Sequence, residues 1–372
     1  MFERVKKKLL FLCCVMAIFL FYILPLKAEI NNQTLAVLVN VNDPESIEIA
    51  RYYQKARLIP ESNLIYLSFP AGVSALTQNE FEKVKAQLDK KLTNNIQALA
   101  LAWRKPWRVD CMSITSAFSL GFNKQYCAIG CKATKSVAYF NSQSHRPYHD
   151  YNIRPSMMLS AGSVNKVKEL IDRGVEADYS RPLGTAYLLS TSDKNRNVRA
   201  VIYPEIKKRL GILFNTELIK ADAIKNKHNI MFYFTGLKQV KWLAKNRFLP
   251  GAIADHLTSA GGVLFNGSQM SVLKWIDAGV TGTYGAVVEP CNFRQKFPNP
   301  AIVMQKYLSG STLVEAYWKS VQMLGQGVFV GEPLAVPFKG CRVYANRLGF
   351  LQYAPTVVKN FVERKSSKCN IF

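Results

Sequence analysis

Two short segments put reactive side chains beside predicted strand ends. Asp255 and His256 stand between Pro250-Gly251 and Gly261-Gly262. They read as part of a short helix abutting the carboxyl ends of strands, which is where open α/β sheets bind ligands. A histidine there serves as general base or metal ligand, with Asp255 as the carboxylate that orients it. The plainer reading is a histidine that caps or hydrogen-bonds locally. Glu289-Pro290-Cys291 follows a glycine-rich predicted strand, so its cysteine emerges at a strand's carboxyl end. With His256 as base, Cys291 would be the nucleophile of a rearranged cysteine-hydrolase dyad. In an oxidising compartment the same cysteine is half of a disulfide, with Cys341 as an available partner.

Other constellations are weaker. Cys127, Cys131, His145 and His149 have the spacing C-x3-C-x13-H-x3-H, close to a structural zinc pattern. Pro147 lies between the histidines and disfavours the helix that would bring them to one face, so a disulfide-stapled loop is the preferred reading and no metal is assigned. Gly279, Gly282 and Gly285 form G-x-x-G-x-x-G, which is not the dinucleotide fingerprint, and no phosphate-cradling G-x-x-x-x-G-K-[ST] loop occurs. These glycines read as a helix end and a place of close backbone approach. Ser268 lacks the G-x-S-x-G elbow and reads as a helix N-cap. No cofactor is assigned.

The elements that must position these groups alternate. Leu35 to Val41 is a buried strand, followed by an Asp43 N-cap, Pro44 and a helix from Glu45 to Arg57. Asn63 to Phe69 is a second strand. Thr77 and Glu80 form a capping box ahead of a helix with Phe81, Val84, Leu88 and Leu92 on one face, and Ile96 to Trp103 is the strand it feeds. Two rounds of strand, helix and strand call for a parallel sheet, because parallel crossovers need helix-sized connections. The rhythm breaks over 104–154, an insertion with three cysteines and two histidines. It resumes with a helix capped by Ser163 and stopped at Gly174, then strands Thr185 to Ser190, Ile230 to Thr235, Gly262 to Phe265 and Thr283 to Val288. Helices are read at Ile206 to Leu210, Gln269 to Ala278 and Ala301 to Leu308, with a second capping box at Thr312 and Glu315. Val328 to Val330 is placed as a closing strand, and 339–372 as a basic C-terminal tail.

At the N-terminus, Arg4, Lys6, Lys7 and Lys8 precede an apolar run from Leu9 to Pro25, and Leu26-Lys27-Ala28 ends in a small residue. This is the pattern of a secretory signal peptide over 1–28, cleaved after Ala28; the rival is an uncleaved anchor. Cleavage removes five basic residues and one acid, so the formal charge falls from +24 to +20. No later stretch is apolar enough to span a membrane. A basic exported chain favours anionic partners such as envelope polysaccharide, or sorted surface proteins, over nucleic acid. The destination is the periplasm or the extracellular space. Six cysteines remain, Cys111, Cys127, Cys131, Cys291, Cys341 and Cys369; pairing of Cys111 with Cys127 or Cys131, and of Cys291 with Cys341, is expected.

Five blocks, Arg154 to Ala161 (RPSMMLSA), Phe234 to Leu237 (FTGL), Phe248 to Gly262 (FLPGAIADHLTSAGG), Gly279 to Phe293 (GVTGTYGAVVEPCNF) and Phe329 to Phe338 (FVGEPLAVPF), resemble a family of uncharacterised exported bacterial proteins found mainly in genomes with exosortase-type sorting. That resemblance implies a compartment and no reaction. A more distant resemblance is to gingipain and caspase type cysteine peptidases, in which a histidine follows one strand and a cysteine follows the next. Here the first of those turns reads Thr235-Gly236-Leu237, so the catalytic dyad is not matched. The combined expectation is an α/β domain over 29–338, three-layered, with a mostly parallel sheet. Its function is that of a cell-envelope protein with a hydrolase-like fold, the alternative being a non-catalytic binding or assembly factor. If it is an enzyme, His256 is the base, Asp255 its orienting partner and Cys291 the nucleophile.

Overall fold

A computed structural model describes residues 29–345 and 351–355, with side chains described through Gly340. The segment read as a signal peptide, 1–28, and Cys369 lie outside the described residues. Strands β1 (Leu35–Asn40), β2 (Leu64–Leu67) and β4 (Ala98–Leu101) are connected by helices α1 (Pro44–Arg57) and α2 (Gln78–Asp89). Their starts follow from capping chemistry: the Asp43 carboxylate accepts from the Glu45 amide, and Thr77 and Glu80 cap each other reciprocally. Beside α2 a small sheet combines β3 (Ala75–Leu76), β5 (Arg108–Val109) and β6 (Met112–Ser113). The insertion is therefore structured rather than idle. It also contains α3 (Ile114–Leu120), buried against the central strands, and α4 (Pro147–Tyr151).

β7 (Ser156–Met158) was not recognised in the sequence, being only three residues long with no polar alternation. Helix α5 (Val164–Ala177), capped by Ser163 as expected, runs past Gly174 instead of stopping there. Gly174 serves a packing role: a Cβ on it would stand 2.5 Å from the Glu332 side chain, so glycine lets that carboxylate lie against the helix. β8 (Thr185–Ser190), α6 (Tyr203–Leu210), β9 (Thr216–Lys220) and β10 (Ile230–Thr235) follow. β11 (Phe248–His256) is a nine-residue strand, which corrects the short helix read around Asp255 and His256. Its last six residues are all buried, four of them (Gly251, Ala252, Ile253 and Ala254) glycine or apolar, and pack inside a parallel sheet, where continuous burial replaces alternation.

The stretch read as strand Gly262 to Phe265 is irregular loop, and α7 (Leu273–Asp277) is shorter than read, so Ser268 caps nothing and lies exposed in the loop. Gly262 and Gly285 explain why the chain takes this course. The Gly262 amide donates to Ala286, and a Cβ on Gly262 would lie 2.3 Å from the Gly285 carbonyl oxygen, so only glycine permits the contact. β12 (Gly282–Ala286), α8 (Pro300–Leu308), α9 (Leu313–Ser320) and β13 (Gly327–Gly331) complete the domain. Strands β14 (Cys341–Ala345) and β15 (Leu351–Pro355) pair antiparallel within the stretch read as a tail.

The main sheet has ten strands in the order β2-β1-β4-β7-β13-β12-β11-β10-β8-β9. Every neighbouring pair is parallel except β12 with β13. β13 is thus central, not a closing strand. It joins two parallel sets with the same winding, β2-β1-β4-β7 and β9-β8-β10-β11-β12, that run in opposite directions. Helices α1, α5 and α7 cover one face; α2, α3, α6, α8 and α9 cover the other. The architecture is the expected three-layer α/β fold. No helix among the described residues is long and apolar enough to cross a membrane.

Candidate functional site

Asp255 and His256 end β11, and because successive strand residues point to opposite faces, they cannot act as a pair. His256 faces α7. The Trp275 indole donates from Nε1 to His256 Nδ1 at 2.9 Å, so the ring proton resides on Nε2 and is donated to the Met270 carbonyl at 3.0 Å. Both nitrogens are used and the residue is 1% exposed. Burial pushes its pKa down to about 4, outweighing the Met270 bond that favours the protonated ring. The imidazole is held neutral in one tautomer, as in the plainer of the two sequence readings.

Asp255 faces the α8 and α9 layer and meets Arg199 of the 3-10 turn Asn197–Ile202, at 2.5 Å between Oδ1 and Nη2. The contact is an ion pair without hydrogen-bond alignment, since neither Asp255 oxygen receives a donor of acceptable geometry. Arg199 directs its hydrogen bonds elsewhere, to the carbonyls of Thr235 (2.8 Å) and Pro298 (3.2 Å). Burial raises the Asp255 pKa, and Arg199 only partly offsets this.

Cys291 lies after β12 with left-handed backbone, φ 54°. Its sulfur is bonded to Cys131, with Cα atoms 5.3 Å apart. The expected Cys291–Cys341 pairing is therefore corrected to Cys131–Cys291, whereas Cys111–Cys127 is one of the two pairings expected for the insertion. A disulfide sulfur is neither a thiolate nor a metal ligand. The Cys127/Cys131/His145/His149 quartet is dispersed for the same reason: its cysteines belong to different disulfides, and His145 Nδ1 lies 2.8 Å from Glu315 Oε1. Among the described residues no cluster of three or more His, Cys, Asp or Glu side chains is arranged to hold a metal.

Sequence reasoning missed two buried centres. Glu332, after β13, accepts from Tyr53 (2.6 Å), from Arg57 Nε (3.1 Å) and from the Leu334 amide (3.2 Å), and also pairs with Arg57 Nη2. Arg57 reaches Asp178 as well. Glu315 in α9 accepts from Thr312, Lys319 and His145. Burial raises its pKa, but Lys319 and His145 more than offset this, leaving it at about 2. The capping-box spacing announced the Glu315–Thr312 bonds; nothing local announced Glu332, whose partners are far away in the chain.

Solvent reaches the molecule elsewhere. A groove of about 720 Å³ runs between the loops around Gln239–Ala244 and Leu264–Ser271, beside α7. A cleft of about 480 Å³ gathers Asp43, Glu45, Arg104 and Lys105 under Phe265, where Arg104 pairs with Glu45 at 2.8 Å.

No protein-family model matches the chain, and no curated protein does. Two solved structures resemble it at 11% identity and a TM-score of 0.47: one described as "Structure of Protease", over 88% of this chain and 86% of that one, and the complex of the Porphyromonas gingivalis RgpB pro- and mature domains, over 84% and 82%.

Proposed function

We propose that the protein is a non-catalytic, exported binding factor whose basic surface holds an anionic envelope polysaccharide. The observation that carries this reading is the fate of the three reactive side chains. Cys291 sulfur is oxidised, both His256 nitrogens are occupied, and Asp255 lies on the other face. A dyad of thiol and imidazole has neither nucleophile nor accessible base in this arrangement. The chain carries a formal charge of +24, or +20 once residues 1–28 are removed, which draws polyanions by long-range attraction. Two disulfides support a life in an oxidising compartment.

The test is retention of the purified protein on an acidic polysaccharide as salt rises. Binding should weaken clearly between about 50 and 500 mM NaCl, over which screening shortens severalfold, and maleimide should leave Cys291 unlabelled in the native protein. Hydrolysis of a peptide or glycan that disappears in Cys291→Ser or His256→Ala protein, with the fold intact, would overturn the reading.

A further inference from the structure

The two edges of the main sheet, β2 and β9, are finished differently. β2 is closed by side chains from α2 and the turn after it. Lys91 Nζ donates to the Tyr66 carbonyl at 2.5 Å, and the Gln87 amide group accepts from the Ser68 N–H at 3.1 Å and donates to the Ser68 carbonyl at 3.4 Å. β9 has no such cover among the described residues. The Ala186 amide donates to the Asn215 carbonyl, and the Ala221 amide to the Ser190 carbonyl. With the register of the two strands, these bonds turn the main-chain groups of Glu217 and Ile219 towards β8 and those of Thr216, Leu218 and Lys220 outward. No hydrogen bond reaches those outward amides and carbonyls among the described residues, so a row of main-chain donors and acceptors is left open for another strand.

We infer that this edge docks a second copy of the chain, its β9 running antiparallel to the first about a two-fold axis at Leu218. The strand is its own complement. Leu218 is the middle one of the outward residues, so the axis passes where the Leu218 main-chain groups of both copies exchange bonds. Thr216 then exchanges bonds with the second copy's Lys220, and every outward amide and carbonyl of the strand is satisfied. The side chains agree with that register. Leu218, 40% exposed, meets itself on the same face, Glu217 falls opposite Ile219 and Thr216 opposite Lys220, so no like charges are opposed. A slip of two residues would set one end of the strand against Phe214 or Asp222, outside β9.

Exposed apolar side chains stand at the same edge. Leu183 precedes β8 and Ile212 precedes β9, at the N-terminal ends of the two outermost strands, and they are 71% and 54% exposed. The antiparallel arrangement brings the second copy's Lys220 end beside them. Two copies of so basic a chain repel each other at a distance, so this association should strengthen as salt screens the charge. Polyanion binding has the opposite salt dependence, and the docking edge is independent of it.

The experiment is sedimentation equilibrium of the purified protein over about 1–100 μM, where a dimer is expected whose dissociation constant falls between about 50 and 500 mM NaCl. Leu218→Pro leaves the β8–β9 bonds in place, because the amide it removes points outward, and should weaken self-association at least about tenfold. Leu218→Cys should crosslink two copies on mild oxidation, since Cα atoms about 5.5 Å apart across such a pair are within disulfide reach. Lys220→Cys lies about 13 Å from its own copy at the rise of a strand, and should crosslink no more than the unaltered protein. Leu218 and Lys220 are exposed, and unchanged thermal unfolding would show that the variants fold. A monomer throughout the range, or a dimer that Leu218→Pro leaves intact, would overturn the inference. Equal crosslinking of the two cysteine variants would overturn the axis at Leu218.

Discussion

Two buried arginine–carboxylate pairs lie in the two parallel sets of the sheet and are built differently. Around Glu332, the carboxylate receives a phenol, a guanidinium and a main-chain amide, and Arg57 is shared with Asp178. Around Asp255, the carboxylate has Arg199 close by but no aligned donor, and Arg199 is satisfied largely by carbonyl oxygens. The comparison teaches that burial and proximity alone do not make a keystone. Desolvating two charges costs several kcal/mol per ion, and only a complete shell of hydrogen bonds offsets it. Glu332 has that shell and ties α1, α5 and the segment after β13 together.

The largest expected effect follows directly. Glu332→Gln should destabilise the protein by about 3–5 kcal/mol in urea unfolding, because it removes the buried carboxylate that Arg57 faces and an amide cannot accept from Tyr53, Arg57 and the Leu334 amide in the same way. Next is the acid limb of the Asp255–His256 side. His256 has a folded pKa of about 4 against 6.5 unfolded, so its contribution is present above pH 6.5 and is lost as pH falls towards 4. The loss should reach about 3 kcal/mol, and His256→Gln should flatten that part of the stability profile. Asp255 has the opposite sign: its raised pKa makes its contribution full at acid pH and lost as pH rises. Trp275→Phe leaves His256 Nδ1 without a donor and should cost about 1–3 kcal/mol, read by thermal unfolding at pH 7.5. Asp255→Asn should cost less than Glu332→Gln, about 2 kcal/mol: buried Arg199 loses its counter-charge, but keeps its bonds to the Thr235 and Pro298 carbonyls. If Asp255→Asn and Glu332→Gln cost the same in chemical unfolding, the distinction between the two pairs fails.

Much of the scaffold was legible locally. The caps at Asp43, Thr77, Ser163 and Thr312 stand where their side chains and neighbouring amides put them, and strands β8 and β10 coincide with their apolar runs. Less of the candidate site was. Asp255 and His256 do end a strand's carboxyl side, but reading that segment as helix concealed that the two side chains face opposite ways. The groove beside α7 gave no periodic signal, because it is made largely by two loops.

The chain by itself determined what depends on neighbours within a few residues: caps, apolar runs, the alternation that demands a parallel sheet, and the charge. Tertiary structure alone decided that β13 lies at the centre, that Cys131 takes Cys291 across a separation of 160 residues, and that Glu332 lies against Gly174. These contacts are chosen by global packing, where many partners compete for the same strand edge, sulfur or cavity. No window of sequence holds both sides of that competition.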